Sequence, residues 1–198
     1  MFAVTTLFRF LTNHGPTHWE AVKRVFRYLM GMKDLWLSFG GTRTELKGYA
    51  DADGSMAEDR HAMSRYAFLL DGGVVSWSSK CQEIISLSTT EWEYVTATHA
   101  AKEAIWLRSL IRQLFSPLLK PTVPFPDNQS AIALTQDYQY PARSKHIDIR
   151  FHFIRWIVEN RTLRLVYCPT DVVADTLTEA LPFTKTKHFA TDLGLSAV

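Results

Sequence analysis

The stretch from Ser64 to Ser79 constrains the fold of this chain more than any other. Two strand-like segments, Ser64 to Leu70 and Val74 to Ser79, flank Asp71-Gly72-Gly73. Asp-Gly between such segments is a strong signal for a tight β-hairpin, because the turn needs positive φ at its centre. Leu46-Lys-Gly-Tyr-Ala-Asp51 precedes them as another strand, so the region reads as an antiparallel three-stranded meander. Helical periodicity then runs from about Thr89 to Phe115, with Tyr94, Ala97, Ala101, Ala104 or Ile105, and Leu107 to Leu114 on its buried side. Pro117 and Pro121 stop it. Thr122 to Pro126 reads as a short fourth strand, Asn128 to Leu134 and Ile147 to Val158 as helices, and Leu163 to Cys168 as a last strand. Asp171 to Leu181 and Pro182 to Leu193 close the chain as two short helices. A meander followed by helix–strand–helix and strand–helix implies an α/β fold, a mixed sheet with helices on its faces.

Upstream, residues 17–31 form an amphipathic helical pattern with Thr17 as a cap, Glu20 three residues on, and Trp19, Val22, Phe26 and Leu29 along one face. Gly31 suits its end, and Gly40-Gly41-Thr42 punctuates the chain. Residues 1–44 are therefore expected to be a helical attachment and residues 45–198 the main domain. A chain of 198 residues that is 46% apolar can bury a substantial core. Its net charge of +2 means that any nucleic-acid footprint must be local. Apolar runs such as Tyr66 to Leu70 are too short to span a bilayer, so no membrane partner is expected. The first residues carry no secretory pattern, and Cys81 and Cys168 lack paired spacing, which fits reduced thiols in an intracellular protein.

Four acidic segments punctuate this pattern in order: Tyr-Ala-Asp51-Ala-Asp53, Ser-Thr-Thr-Glu91-Trp-Glu93-Tyr, Pro-Asp127-Asn128-Gln129-Ser130 and Val-Ala174-Asp175. Each acid stands at a strand exit or in the first turn of a helix, where a lone carboxylate would serve as an ordinary turn or cap residue. Together they lie on a plausible common edge, and converging carboxylates repel one another unless a cation neutralises them. Oxygen donors suit Mg²⁺ or Mn²⁺, whereas zinc would call for His or Cys ligands.

These segments and the words between them, Val-Val-Ser-Trp77-Ser-Ser-Lys80-x-Gln82, Ile-Trp106-Leu-Arg, Asp127-Asn-Gln-Ser-Ala-Ile and Ser-Lys145-His146-Ile-Asp148-Ile, resemble the ribonuclease H domain of copia-type LTR-retrotransposon polyproteins. The resemblance extends from about Leu46 to the C-terminus. His18-Trp19-Glu20-Ala-Val-Lys-Arg-Val-Phe-Arg-Tyr-Leu is similar to the segment that links reverse transcriptase to ribonuclease H there. It implies a ribonuclease H-like mixed five-stranded sheet of order 3-2-1-4-5 flanked by helices, with residues 1–44 as a remnant of the reverse transcriptase connection. It also implies cleavage of the RNA strand of RNA–DNA hybrids, with two Mg²⁺ ions (Mn²⁺ as the alternative) held by Asp51, Glu93, Asp127 and Asp175.

The family's acid pattern favours Glu93 over Glu91, and Asp53 reads as an outer residue or loop cap. Two-metal hydrolysis would leave a 5′-phosphate and a 3′-hydroxyl. Hybrid selection requires contact with RNA 2′-hydroxyls, for which Thr89, Thr90, Asn128 and Gln129 are the best placed polar groups. Phosphate contacts are expected from Lys80 and from residues 143–164. In that segment Arg143, Lys145, Arg150, Arg155, Arg161 and Arg164 outnumber Asp148 and Glu159. Trp77 is expected in the core, and His146 and His152 are expected to be structural. The reverse transcriptase domain of the same polyprotein is the expected protein partner. The cytoplasm is the expected location, with a virus-like particle or the nucleus as alternatives.

Overall fold

The computed structural model describes residues 2–40, 45–53, 62–83, 88–115, 118, 120–126, 132, 148–167 and 183–197. Two helices come first, α1 (Phe2–Phe8) and α2 (Pro16–Gly31), then a short strand β1 (Leu35–Leu37). The meander consists of β2 (Leu46–Asp53), β3 (Met63–Leu70) and β4 (Gly73–Cys81). Next come the long helix α3 (Thr89–Leu114), strand β5 (Val123–Pro126), helices α4 (Asp148–Glu159) and α5 (Phe183–Asp192), and strand β6 (Leu195–Ala197).

The main sheet has the order β4-β3-β2-β5, with antiparallel pairing through the meander and β5 parallel to β2. Asp71 (φ 56°) and Gly72 (φ 87°) form the two-residue turn between Leu70 and Gly73. Two positive φ values in succession match the right-handed twist of the flanking strands, which explains why Asp-Gly stands there. The expected fifth strand is not regular. Leu163 makes an isolated parallel bridge to Thr122, and the N–H groups of Arg164 and Val166 donate to the carbonyls of Thr122 (3.0 Å) and Pro124 (3.2 Å). Residues 163–167 thus run beside β5 without a full ladder.

Helix α3 lies across β2 and β3. Ala100, Ala101 and Ala104 let it approach Leu46, Ala50 and Phe68, and Leu107, Ile111, Ile157 of α4 and Leu163 complete this core. Strand alternation puts Leu46, Gly48, Ala50 and Ala52 on the α3 face and Asp51 and Asp53 on the other. Gly48 is required by packing, since a Cβ there would lie 2.4 Å from the ring of Phe68. The buried stripe of α3 ends at Ile111; Leu114 is exposed because the helix has by then run past the sheet.

The N-terminal region departs from expectation in detail. Helix α2 starts at Pro16, whose fixed φ suits the first helical position, and Gly15 rather than Thr17 caps it. The Gly15 N–H donates to Nδ1 of His18 at 2.8 Å, while Glu20 pairs with Lys23. No residue of α2 is buried, so the face of Trp19, Val22, Phe26 and Leu29 is largely solvent-facing. Strand β1, which the sequence pattern does not announce, pairs antiparallel with β6. Ser38 N–H donates to Gly194 O (2.8 Å) and Val74 N–H to Leu193 O (3.0 Å), tying both ends of the chain to the hairpin. The expected helices at Asn128 to Leu134, apart from the helical residue Ile132, and at Asp171 to Leu181 lie outside the described residues.

Candidate active site

Asp51 is the sixth residue of β2 and is only 8% exposed. Glu93 lies in the second turn of α3, not in the first as expected, because the helix starts at Thr89 and its first-turn acid is Glu91; Glu93 is equally buried, whereas Glu91 is half-exposed. A short polar network joins the elements that carry them. Ser64 of β3 stands opposite Ala52, the residue after Asp51, and its Oγ accepts from Thr96 Oγ1 at 2.8 Å. Thr96 lies one helical turn beyond Glu93. Gln82, just past β4 and 2% exposed, donates from Nε2 to Ser64 Oγ (2.9 Å), to the Trp92 carbonyl (3.0 Å) and to Thr96 Oγ1 (3.2 Å). The start of α3 is thereby fixed over the end of β2. Both carboxylates lie at this end of the sheet, Glu93 on the α3 side and Asp51 on the opposite face.

On that opposite face Arg65 pairs directly across from Asp51 and is completely buried. Its Nη1 is 3.9 Å from Asp51 Oδ2 and its Nη2 is 3.5 Å from Asp53 Oδ2. A guanidinium removed from water needs such neighbouring negative charge, and two acids spaced i, i+2 on one strand supply it from one side. Arg65 did not stand out in the sequence, and Gln82 did so only within the word Trp77-Ser-Ser-Lys80-x-Gln82, with no role assigned to it. The signal was a lone charge inside the run Met-Ser-Arg65-Tyr-Ala-Phe, in a strand otherwise too apolar to present it to water.

Strand β5 ends at Pro126, paired with Ala50, one residue before Asp51. Asp127, Asn128, Gln129, Arg143, Lys145, His146 and Asp175 lie outside the described residues. Among the described residues, no group of three or more His, Cys, Asp or Glu is arranged to hold a metal ion. The donor chemistry that is present, buried carboxylate oxygen from Asp51 and Glu93, suits a hard divalent cation such as magnesium.

Thr89 and Thr90 open α3, but the cap is Ser88, whose Oγ accepts from the Glu91 N–H at 3.3 Å. Thr89 is exposed and Thr90 half-buried, so neither hydroxyl is spent as the N-cap. Lys80 extends into solvent and pairs with Glu83 at 2.8 Å, an interaction that raises its pKa. Trp77, expected in the core, is 52% exposed, because it projects from the face of β4 opposite α3 and borders a cavity of about 380 Å³ with Tyr28, Leu37 and Leu193. Of the basic group, Arg161 and Arg164 are exposed, while Arg155 lies beside the buried Tyr94 and is partly covered. His152 is exposed on α4. Among the described residues, no helix is long and apolar enough to cross a membrane.

A three-stranded antiparallel meander, a strand added parallel to its first member after a helical crossover, and buried acids on the first strand and that helix define a ribonuclease H-like α/β domain. The chain is 45% identical over 187 residues to the retrovirus-related Pol polyprotein from transposon TNT 1-94 of Nicotiana tabacum, a match covering 92% of this chain. It is 37% identical over its whole length to that from transposon RE1 of Arabidopsis thaliana. This chain belongs to the family of copia-type transposon Pol polyproteins. It spans 14% of the length of each of these relatives. No protein-family model matches it. The crystal structure of LC11-RNase H1 in complex with an RNA/DNA hybrid superposes with a TM-score of 0.48 at 17% identity, covering 67% of this chain and 93% of that one. That likeness is below the level at which two folds can be equated.

Proposed function

We propose that residues 45–198 hydrolyse the RNA strand of RNA–DNA hybrids, as a step in the reverse transcription of a retrotransposon, and that residues 1–44 connect this activity to a reverse transcriptase domain of the same polyprotein. The observation that carries this reading is the burial of Asp51 and Glu93, distant in sequence, on β2 and α3, which are tied at one end of the sheet through β3. Buried carboxylates are costly to keep ionised unless positive charge compensates them; Arg65 does so in part for Asp51, and in a nuclease bound cations supply the rest.

Asp51, from the face opposite α3, and Glu93, from α3, would meet round the end of β2 to hold magnesium, with manganese as an alternative, together with Asp127 and Asp175. When bound, the two ions supply activation of the attacking water and stabilisation of the charge on the departing 3′ oxygen. The chain's own contribution is positioning. Gln82 and Ser64 fix the turn of α3 that carries Glu93, and the pairing of β2 with β3 and β5 fixes Asp51. Thr89 and Thr90, with Asn128 and Gln129, would meet the 2′-hydroxyls of the RNA strand across its wide minor groove. Lys80, Arg143 and Lys145 would meet phosphates, Lys80 by exchanging Glu83 for a phosphate oxygen. Working beside a polymerase, the domain would act in the cytoplasm or within a virus-like particle.

The test is cleavage of a labelled RNA–DNA hybrid, double-stranded RNA and double-stranded DNA in magnesium or manganese. The expected result is cutting of the hybrid's RNA strand, leaving 5′-phosphate and 3′-hydroxyl ends, and its loss in Asp51→Asn, Glu93→Gln and Asp127→Asn. Tight hybrid binding without cutting in either metal would overturn this reading in favour of a binding or scaffold domain.

A further inference from the structure

Arg65 gives the site a property that its acids alone do not have. It is the largest fully buried side chain among the described residues, and it faces Asp51 and Asp53 across the β2–β3 pairing. At 3.9 Å and 3.5 Å the two contacts are ionic and loose rather than a tight bidentate clamp. The guanidinium is fully buried and cannot lose its proton, so its charge persists beside Asp51 under all ordinary conditions. We propose that Arg65 is a resident counter-ion that holds the acidic end of β2 together in the absence of metal and competes with divalent cations for Asp51. The inference rests on the metal-dependent reading of the site given above.

Two consequences follow from Coulomb's law at these distances. Without metal, one of the two negative charges of Asp51 and Asp53 is already compensated by Arg65, so metal adds less to the stability of this strand end than it would to two acids alone. With metal, a dication bound by Asp51 stands close to a fixed positive charge in a poorly solvated place, and its affinity is reduced. The domain would therefore need a higher metal concentration than its carboxylates alone would require.

The test is metal affinity, read by calorimetric titration with Mg²⁺ and by electron paramagnetic resonance with Mn²⁺, with no substrate present. Arg65→Met keeps the bulk and removes the charge. It is expected to bind Mn²⁺ at least tenfold more tightly than the wild type and to show the larger rise in melting temperature on metal addition. Asp51→Asn separates the two claims. If Asp51→Asn abolishes binding while Arg65→Met leaves it unchanged or weaker, the metal site stands and the counter-ion role is overturned. If wild type, Asp51→Asn and Arg65→Met all fail to bind at millimolar metal, the proposed site falls and the competition with it. Because Arg65→Met removes a buried ion pair and could fail to fold, the wild-type protein supplies a second measurement. The ¹⁵Nε guanidinium resonance of Arg65 is expected to shift with the same midpoint as metal binding, and a resonance unmoved at metal saturation would refute the competition.

Discussion

Gln82→Leu removes the amide that joins three elements at the acidic end of the sheet while keeping the side chain's approximate volume. Its Nε2 has two N–H groups, shared among Ser64 Oγ, the Trp92 carbonyl and Thr96 Oγ1 at 2.9, 3.0 and 3.2 Å. Two buried hydrogen bonds at about 1 kcal/mol net each give about 2 kcal/mol. Ser64 and Thr96 are almost inaccessible to water, so acceptors stripped of their donor add about 1 kcal/mol more. The apolar surface of leucine offsets part of this, for a net loss of about 2 to 3 kcal/mol. The backbone bond from Gln82 N–H to the Ala62 carbonyl, 2.7 Å, is unaffected by the substitution. Urea denaturation monitored by tryptophan fluorescence should show a lower midpoint with an unchanged m-value. A cycle with Ser64→Ala should show coupling of at least about 0.5 kcal/mol between the two positions. Because the Trp92 carbonyl precedes Glu93 directly, hybrid cleavage should fall by more than the loss of folded protein explains. A change below about 0.5 kcal/mol, or strict additivity with Ser64→Ala, would refute the claim that this network holds α3 over β2.

Gly48→Ala drives a methyl group to within 2.4 Å of the fully buried Phe68 ring and should cost about 1 to 3 kcal/mol in the same assay, whereas Gly31→Ala, with nothing within 4 Å, should cost nothing. Burial raises the pKa of Tyr94 above its ordinary 10.0, with Arg155 opposing in part. The folded state therefore holds this proton more firmly than the unfolded chain does. The contribution is complete below pH 10.0 and is lost as pH rises through the folded-state value, so the fall in stability above that pH should be shallower in Tyr94→Phe. Lys80→Ala should weaken hybrid binding in filter-binding assays and reduce the slope of log affinity against log salt by about 1, without altering the choice of hybrid over double-stranded DNA.

What could be read from the sequence was whatever local chemistry dictates. Asp71-Gly72 announced its turn because few residue pairs adopt two positive φ values, and the periodicity of α3 located Tyr94, Ala97, Ala101 and Ala104 because a helix over a sheet buries one stripe. Asp51 and Glu93 could be singled out because they sit at element ends in a familiar order. Less legible were features set by distant partners. Strand β1 exists because Leu35 to Leu37 finds Leu195 to Ala197, and no three-residue pattern foretells that pairing. Trp77 reads as core by composition, yet alternation turns it to the face of the sheet that α3 leaves uncovered. Trp19 and Phe26 keep an amphipathic spacing without a covering surface among the described residues, so spacing alone overstated their burial.

Strand β3 shows why the acid end needs a register that sequence pattern does not specify. Its consecutive residues Ser64 and Arg65 project to opposite faces, Ser64 to the helix that carries Glu93 and Arg65 to the strand end that carries Asp51. A slip of one residue would put a guanidinium beneath α3 and a hydroxyl between the two acids. Pairing with β2 is regular throughout, but pairing with β4 shifts between Phe68 and Leu69, where β4 accommodates Val75 as an extra residue. Beyond that bulge Ser76, Ser78 and Lys80 share the α3 face with Ser64, and Gln82 follows in the same alternation. Were Val75 paired regularly with Phe68 instead of bulged, every side chain from Ser76 onward would change face, and the Gln82 amide would leave Ser64 and Thr96 for the side of Arg65. The bulge therefore sets which β4 side chains reach α3, and the hairpin turn that the sequence advertises is insufficient to bring Gln82 to the helix that carries Glu93.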